Sequence, residues 1–172
     1  MSLDTLSRRI ARRDKLAFAE LYQKTSRIVY AVCLGVVKNA ALAEELTQET
    51  FVTVWEKSGT FKGNGYKTWI LTIAKNKSFN ALKRGKREVF VDFSENENLG
   101  GRYEISDRVE TGVALKAALE LLNETDRQIV LLKNTGVKTK EISALLSMPR
   151  GTVSWRYAEA LKRLKNYLED GK

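Results

Sequence analysis

The sequence predicts an all-α protein of two small helical domains, and three observations lead to this prediction. Apolar residues recur at helical spacing over most of the 172 residues, and alternating β-branched residues are scarce. The single proline, Pro149, leaves long stretches in which nothing interrupts a helix. An acidic stretch with a Gly-Gly pair and little apolar periodicity separates the two halves. We therefore expect domains at 1–88 and 111–172, joined by a flexible acidic linker at 89–110.

Three long helices are predicted in the first domain. The first covers roughly 14–38 and has an apolar stripe at helical spacing. Asn39 can cap the second, which ends before Ser58-Gly59. A loop with three glycines, GTFKGNGYKT, precedes the third helix, WILTIAKNKSFNALKRGKR. In the second domain, the helical segments ALKAALELL and ETDRQIVLLKNTG precede two helices joined by a short turn.

Composition limits the possible functions. The formal charge of +9 and the pI near 9.7 indicate a polyanionic partner (nucleic acid or an anionic membrane surface), or simply good solubility. Histidine is absent, which excludes imidazole general bases and zinc sites that need imidazole. The single cysteine, Cys33, lies in an apolar run, and no apolar run approaches the roughly 20 residues that span a bilayer. We expect a cytoplasmic protein that is not an enzyme, needs no cofactor or metal, and does not insert into membranes.

The two C-terminal helices match a helix-turn-helix. In the second of them, Val153, Tyr157, Ala160 and Leu164 form an apolar stripe that can pack on Ile142, Leu145 and Leu146. Its opposite side and borders carry Arg150, Thr152, Trp155, Arg156, Glu159, Lys162 and Arg163. Such side chains can contact base edges and phosphates in the major groove. The alternative is an ordinary helical hairpin with a solvated outer face, but an outward tryptophan is poorly explained by solubility.

The third helix of the first domain has a basic face with an exposed ring. That face carries Thr72, Lys75, Asn76, Phe79, Lys83, Arg84 and Arg87. Lysines can follow phosphates, and a ring beside an amide can hold a base that has left its stack. This face therefore predicts contact with single-stranded nucleic acid. The alternative is that Phe79 packs into the core.

The second helix carries an acidic ridge formed by Glu44, Glu45, Gln48 and Glu49. Without histidine ligands or a second carboxylate helix, a di-metal site is not expected. The ridge could be a solvated face. It could instead be a docking surface for a protein, with apolar anchors from Leu42, Leu46 and Trp55.

Three motifs, AEELTQETFVTVWEK, FKGNGYKTWILTIAKN and EISALLSMPRGTVSWR, occur in this order. Together they resemble the sigma factors of bacterial RNA polymerase, specifically the small two-domain extracytoplasmic-function group, over nearly the whole chain. The resemblance implies a promoter-specificity subunit that binds core RNA polymerase, directs it to promoter DNA and aids melting. It also implies an anti-sigma factor as a partner and a location at the bacterial nucleoid. The alternative function is that of a stand-alone helix-turn-helix transcriptional regulator, which would bind duplex DNA unaided.

The resemblance also implies three sets of site residues by position. Core polymerase docking would involve Leu42, Glu45, Leu46, Gln48, Glu49 and Trp55. Minus-ten DNA would be bound by Phe61, Asn64, Tyr66, Lys67, Trp69, Thr72, Lys75, Asn76, Phe79, Lys83, Arg84 and Arg87, with Asn76 at the base-pocket position. Minus-thirty-five DNA would be bound by Lys140, Arg150, Thr152, Ser154, Trp155, Arg156, Glu159 and Arg163.

Three positions depart from the family's usual pattern. Asn80 stands where the family usually has an Asp, so a structural ion pair of the family is not expected here. Trp155 stands where Ser is common, and Glu159 stands where an Arg commonly faces the groove. We therefore expect the usual architecture together with an altered minus-thirty-five preference.

Overall fold

The computed structural model describes residues 1–88, 117 and 119–170, except for the side chains of 86–88. The described part is helical without β-strands, and the chain divides into two compact units, 1–98 and 99–172. The predicted all-α fold is therefore confirmed. The predicted linker, 89–110, lies outside the described residues, so its flexibility and the domain bounds remain predictions.

Over residues 1–88, the N-terminal unit has a three-helix core with one short helix packed on it. Its elements are α1 (Leu3–Ala11), α2 (Lys15–Val37), α3 (Ala40–Glu56), a 3-10 turn (Ser58–Thr60) and α4 (Tyr66–Glu88). Helices α2, α3 and α4 pack on one another in all three pairs. Leu21, Val29 and Ile70 are fully buried between them. The short helix α1 contacts α2, α4 and the 3-10 turn.

Local capping fixes where these helices begin. Asn39 caps α3, as predicted, by accepting a hydrogen bond from the Leu42 amide at 2.9 Å. Asp14 caps α2 by accepting from the amides of Leu16 and Ala17, both at 3.0 Å. The hydrogen bond from Ala17, together with that from Arg9, lowers the pKa of the Asp14 carboxyl.

Two features of the N-terminal unit differ from the sequence prediction. Helix α4 begins at Tyr66, three residues before the predicted start at Trp69, so the glycine-rich loop is shorter than expected. Helix α1 was not predicted, because its nine residues are shorter than the window over which helical periodicity is usually recognised. Leu6 and Ile10 of α1 are nevertheless fully buried, so α1 belongs to the folded unit.

The described part of the C-terminal unit contains α5 (Glu124–Asn134), α6 (Thr139–Leu146) and α7 (Arg150–Asp170), and residues 117 and 119–120 are also helical. Helix α7 packs against both α5 and α6. Of the predicted apolar faces, Val153, Ala160, Leu164, Ile142 and Leu145 are buried, whereas Tyr157 and Leu146 are only partly buried. Ser147, in the left-handed conformation at φ 53°, ends α6, and α7 follows after Met148 and Pro149. This short turn gives the predicted helix-turn-helix.

Within the described ranges, none of the helices is both long enough and apolar enough to cross a bilayer.

Candidate nucleic-acid interface

The loop between α3 and α4 folds back on the start of α4. The ring centroid of Phe61 lies 5.0 Å from that of Tyr66 and 5.4 Å from that of Trp69, and the Tyr66 and Trp69 rings stack. Tyr66 is fully buried, and burial raises the pKa of its phenol to about 12. Its hydroxyl has no hydrogen-bond partner among the described residues. Tyr66 therefore shapes the loop from inside and does not present the DNA-contacting surface that was predicted for it.

The tip of this loop projects into solvent. Lys62, Gly63, Asn64 and Gly65 are all exposed. Gly63 and Gly65 have φ angles of 118° and 91°, which glycine tolerates and other residues rarely adopt. Asn64, a predicted minus-ten residue, thus lies at the tip between two conformationally permissive positions. Phe61, Lys67 and Trp69 are partly buried at its base.

One face of α4 carries a continuous stripe, which we define as Thr72, Asn76, Phe79 and Lys83. Spacings of four and three residues place these side chains in one row along the helix. Asn76 and Lys83 are exposed, whereas Thr72 and Phe79 are partly buried. The ring of Phe79, which was predicted to be exposed, is therefore accessible only along part of its surface.

The opposite face of α4 is core. Ile70, Ala74 and Ser78 are fully buried there. Lys75 is partly buried and Arg84 is exposed, while the Arg87 side chain lies outside the described residues. The arrangement brings together an amide, a ring and basic groups on one helix face. These are the groups that bind a splayed base and its phosphates.

The outer face of α7 carries most of the predicted minus-thirty-five residues. Arg150, Ser154, Trp155 and Arg163 are exposed, Thr152, Arg156 and Glu159 are partly buried, and Lys140 is exposed on α6. Trp155 is 64% exposed, more than any other aromatic side chain among the described residues. This face has the groups that a major-groove helix needs, together with one large apolar side chain.

Arg156 has a structural contact that the sequence did not reveal. Its Nη1 donates to Asp126 Oδ1 at 2.9 Å, and Asp126 is only 6% exposed. The other carboxylate oxygen accepts from Asn123 Nδ2 at 2.8 Å. Asn123 in turn caps α5 by accepting from the Asp126 amide. Arg156 therefore connects α7 to the first turn of α5, in addition to any contact with DNA.

An apolar groove lies between α2 and α3 on the N-terminal unit. It has a volume of about 580 Å³ and is lined by Lys15, Phe18, Tyr22, Gln48, Phe51, Val52, Trp55 and Glu56. The rings of Phe18 and Trp55 pack edge to face at 5.0 Å, and those of Tyr22 and Phe51 lie 4.7 Å apart. Val52 is 56% exposed at the groove. We call these eight residues the α2–α3 groove.

The predicted docking residues divide between the groove, the ridge and the core. Gln48 and Trp55 line the α2–α3 groove, and Glu45 is exposed on the ridge. Glu49 lies 3.5 Å from Lys77 Nζ of α4. Leu42 is partly buried. Leu46 is 2% exposed, so its predicted role as an apolar anchor is wrong for the folded unit, because its helix position faces the core.

Four of the five apolar side chains that line the groove were not predicted as docking residues: Phe18, Tyr22, Phe51 and Val52. Phe18 and Tyr22 are four residues apart on α2, and Gln48, Val52 and Trp55 share one face of α3. This helical spacing was the available signal. It did not identify the groove, because periodicity alone does not show which apolar face another helix leaves uncovered.

Metal binding has no support in the described residues, where His, Cys, Asp and Glu side chains form no group of three that could hold an ion.

Two family models match the chain. The Sigma-70 region 2 model matches residues 21–88, and the Sigma-70, region 4 model matches residues 112–164. The first match contains α3, the glycine-rich loop and α4, and the second contains the helix-turn-helix. Both candidate DNA-binding faces thus lie within matched residues.

Curated relatives match over nearly the full chain. The chain is 30% identical to the ECF RNA polymerase sigma factor SigK of Mycobacterium bovis (strain BCG / Pasteur 1173P2), over 97% of this chain and 94% of that protein. It is 29% identical to the ECF RNA polymerase sigma factor RpoE of Cereibacter sphaeroides, over 91% of this chain and 88% of that protein.

Solved structures share the fold at lower identity. CnrH, solved in complex with the cytosolic domain of CnrY, has a TM-score of 0.72 at 18% identity, with 99% of this chain and 100% of that chain covered. The sigma factor RpoE of Bartonella quintana, solved with the anti-sigma factor NepR, has a TM-score of 0.69 at 23% identity, with 88% and 96% covered.

Proposed function

We propose that the two units of this chain bind different parts of the promoter, because the chain belongs to the extracytoplasmic-function group of RNA polymerase sigma factors. As a sigma factor, the chain is a promoter-specificity subunit and a transcription initiation factor. It binds core RNA polymerase and promoter DNA, which distinguishes it from a stand-alone helix-turn-helix regulator. What we propose in addition is which residues make each contact, and that the chain has no catalytic activity of its own.

The N-terminal unit binds melted minus-ten DNA through the α4 stripe and the loop tip. The observation that carries this assignment is the row of Thr72, Asn76, Phe79 and Lys83 on the solvent side of α4. A partly exposed ring gives a base a stacking surface, and the neighbouring amide can hydrogen-bond the edge of that base. Lys83 and Arg84 lie where they can neutralise phosphates.

Asn64 contributes from the loop. It is exposed at the tip, while the aromatic rings at the base of the loop are packed together. The packed rings therefore hold the ends of the loop in place, and Asn64 at the tip presents its amide to DNA. An amide can both donate and accept hydrogen bonds, so it can distinguish one base edge from another.

The C-terminal unit binds duplex minus-thirty-five DNA through the first three turns of α7. Arg150, Thr152 and Ser154 lie at the N-terminal end of this helix, which is the end that enters the major groove in helix-turn-helix proteins. Trp155 adds an apolar contact and Glu159 adds an acceptor. The ion pair with Asp126 orients Arg156, so this residue both supports α7 and borders the DNA face.

Core polymerase binds at the α2–α3 groove and the neighbouring ridge. The groove offers aromatic and aliphatic surface with few charges, which is typical of the centre of a protein interface. Lys15 and Glu56 line it beside the apolar side chains, and Glu45 is exposed on the same helix as Glu56. This placement of an apolar centre with charged neighbours supports a protein partner over a solvated face.

An anti-sigma factor is a further proposed partner. RpoE of Bartonella quintana was solved with the anti-sigma factor NepR, and CnrH was solved with the cytosolic domain of CnrY. This chain presents exposed apolar residues in both units, among them Val52, Trp155 and Leu161. An inhibitor that covers such surfaces would block polymerase or DNA. We place this chain in the cytoplasm, at the nucleoid.

Reconstituted transcription tests the proposal. The chain is mixed with core RNA polymerase and fragmented genomic DNA, and the run-off transcripts are sequenced. We expect discrete start sites that share two upstream elements, and loss of those starts with a variant of the α4 stripe, Asn76→Ala combined with Phe79→Ala. Binding of duplex DNA without polymerase, and no added transcripts with it, would instead indicate the stand-alone regulator.

A further inference from the structure

Helix α4 begins without a capping side chain of its own. The first intrahelical hydrogen bond runs from the Trp69 amide to the Gly65 carbonyl at 3.1 Å, which places Gly65 at the N-cap. Glycine has no side-chain oxygen to accept from the free amides of a first turn. The segment that leads into the helix, Gly63-Asn64-Gly65, also has a flexible backbone sequence, because glycine adopts a wide range of φ and ψ angles. This helix start therefore needs support from elsewhere in the unit.

That support comes from Asp4 in helix α1. Asp4 Oδ1 accepts hydrogen bonds from the amides of Gly65 at 3.2 Å and Tyr66 at 3.0 Å. The contact spans more than 60 positions of sequence, so α1 supplies in space the cap that the chain does not supply locally. A carboxylate at this end of a helix is also favoured by the helix dipole.

Helix α1 holds the other end of the same loop as well. The Ile10 carbonyl lies 3.4 Å from Ser58 Oγ in the 3-10 turn that begins the loop. The single hydroxyl proton of Ser58 can be donated to this carbonyl or to the Trp55 carbonyl, which lies closer at 2.9 Å. Leu6 and Ile10 are fully buried, which fixes α1 on the unit between these two contacts. Helix α1 therefore touches both ends of the loop that carries Asn64.

We propose that α1 is a brace for the glycine-rich loop between α3 and α4, and that Asp4 is a positioning residue for capture of the melted minus-ten strand. This inference rests on the proposed function of the loop and the α4 stripe. Asp4 fixes the first turn of α4, and through it the position of Asn64 relative to Asn76 and Phe79. Without that cap, Gly63 and Gly65 let the loop tip and the first turn of α4 move independently of the stripe.

Three variants of the full chain, each assembled with core polymerase, test the brace. Asp4→Ala removes the acceptor, and Asp4→Asn loses the same charge but keeps an oxygen that can cap. Asn64→Ala removes the proposed base contact directly. The measurements are the affinity of the holoenzyme for a single-stranded minus-ten oligonucleotide, the affinity of the chain for core polymerase, and the amide exchange rates of Gly65 and Tyr66 in the free chain.

We expect Asp4→Ala to weaken oligonucleotide binding about fivefold, which corresponds to the loss of one helix cap. Asp4→Asn should stay within about twofold of the wild type, because Asn caps as well as Asp. Affinity for core polymerase should not change with either variant. The amides of Gly65 and Tyr66 should exchange faster in Asp4→Ala only.

Each other outcome overturns a defined part of the inference. Wild-type binding by Asp4→Ala together with weak binding by Asn64→Ala would remove the brace and leave the proposed function intact. Wild-type binding by both would remove the minus-ten assignment of the loop itself. If Asp4→Ala fails to fold or equally loses core polymerase, Asp4 stabilises the whole unit and does not position the loop. Equal defects in Asp4→Ala and Asp4→Asn would show that charge, and not capping, is what matters.

Discussion

Arg156 and Asp126 form an ion pair, with 2.9 Å between Nη1 and Oδ1, that joins the DNA-facing helix α7 to the first turn of α5. Asp126 is nearly buried and also accepts from Asn123 Nδ2, so its carboxylate holds two side chains at once. The residue predicted to contact DNA is thus also part of the scaffold. Removing it would change affinity for two reasons that a single variant cannot separate.

Substituting Asp126 separates the scaffold role of Arg156 from its DNA contact, because Asp126 is nearly buried and is not among the predicted DNA-binding residues. We expect Asp126→Ala to lower the free energy of unfolding of the C-terminal unit by about 2 kcal/mol, since a buried charge-assisted contact is lost and Arg156 keeps its charge without that partner. Chemical denaturation of the full chain measures this. Arg163→Ala, at an exposed position on the same helix, is the control and should leave stability nearly unchanged. Wild-type stability of Asp126→Ala would show that the ion pair contributes nothing to holding α7.

A second prediction concerns core polymerase docking. Val52→Glu should weaken binding to core polymerase roughly tenfold or more, because it places a charge in the apolar centre of the α2–α3 groove. Leu16→Glu is a matched control, since Leu16 is 78% exposed on α2 but is not among the groove residues. Fluorescence anisotropy with labelled chain measures both affinities. Equal losses in the two variants would remove the groove from the docking surface.

A third prediction concerns promoter melting. Phe79→Ala and Asn76→Ala should allow a closed complex to form but weaken capture of the open strand roughly tenfold each, since stacking of one base contributes about 1–3 kcal/mol. Asn80→Ala is the control, because Asn80 is exposed on α4 but outside the stripe. Permanganate footprinting reports the open bubble directly. An unchanged bubble in both stripe variants would mean that the melted strand binds elsewhere.

A fourth prediction concerns the buried phenol of Tyr66. Tyr66→Phe should keep or raise stability near neutral pH, because it removes a hydroxyl that has no partner among the described residues. Burial raises the pKa of Tyr66 from 10.0 to about 12, so the folded state holds the proton more tightly than the unfolded state. The contribution of the Tyr66 phenol to the free energy of unfolding is therefore fully present below pH 10. It is lost as the pH rises through the folded-state pKa of about 12. Denaturation of both proteins from pH 8 to 11 should show the wild type falling faster than Tyr66→Phe, and parallel curves would contradict the burial of the phenol.

Periodicity predicted the parts of the fold that depend on one helix at a time. The stripe of α7 is the clearest case, because Val153, Ala160 and Leu164 share a face whatever the partner helix is. Contacts between distant segments could not be predicted in this way. The cap from Asp4 to Tyr66, the pair of Asp126 with Arg156 and the α2–α3 groove all depend on how helices cross. Leu46 was misassigned for the same reason, since an acidic ridge on a helix does not show where its border with the core lies.

The last prediction concerns the carboxylate of Glu159 on the DNA face. Phosphates repel a carboxylate there, so it is best tolerated if it accepts a hydrogen bond from a base, and cytosine N4 is the natural donor in the major groove. We expect Glu159→Arg to raise general DNA affinity, to steepen its salt dependence, and to shift the preference at a single minus-thirty-five position.

Two further variants isolate that effect. Glu169→Arg makes the same charge change near the far end of α7, where Glu169 is exposed and lies 3.8 Å from Lys165 Nζ, and should leave the selected sequence unchanged. Trp155→Ala should weaken binding with little change in salt slope, because the lost contact is apolar and not ionic. Selection from randomised minus-thirty-five duplexes at two salt concentrations compares all of these with the wild type. If Glu159→Arg selects the same sequences as the wild type, Glu159 makes no base contact, and the preference at that position comes from its neighbours on α7.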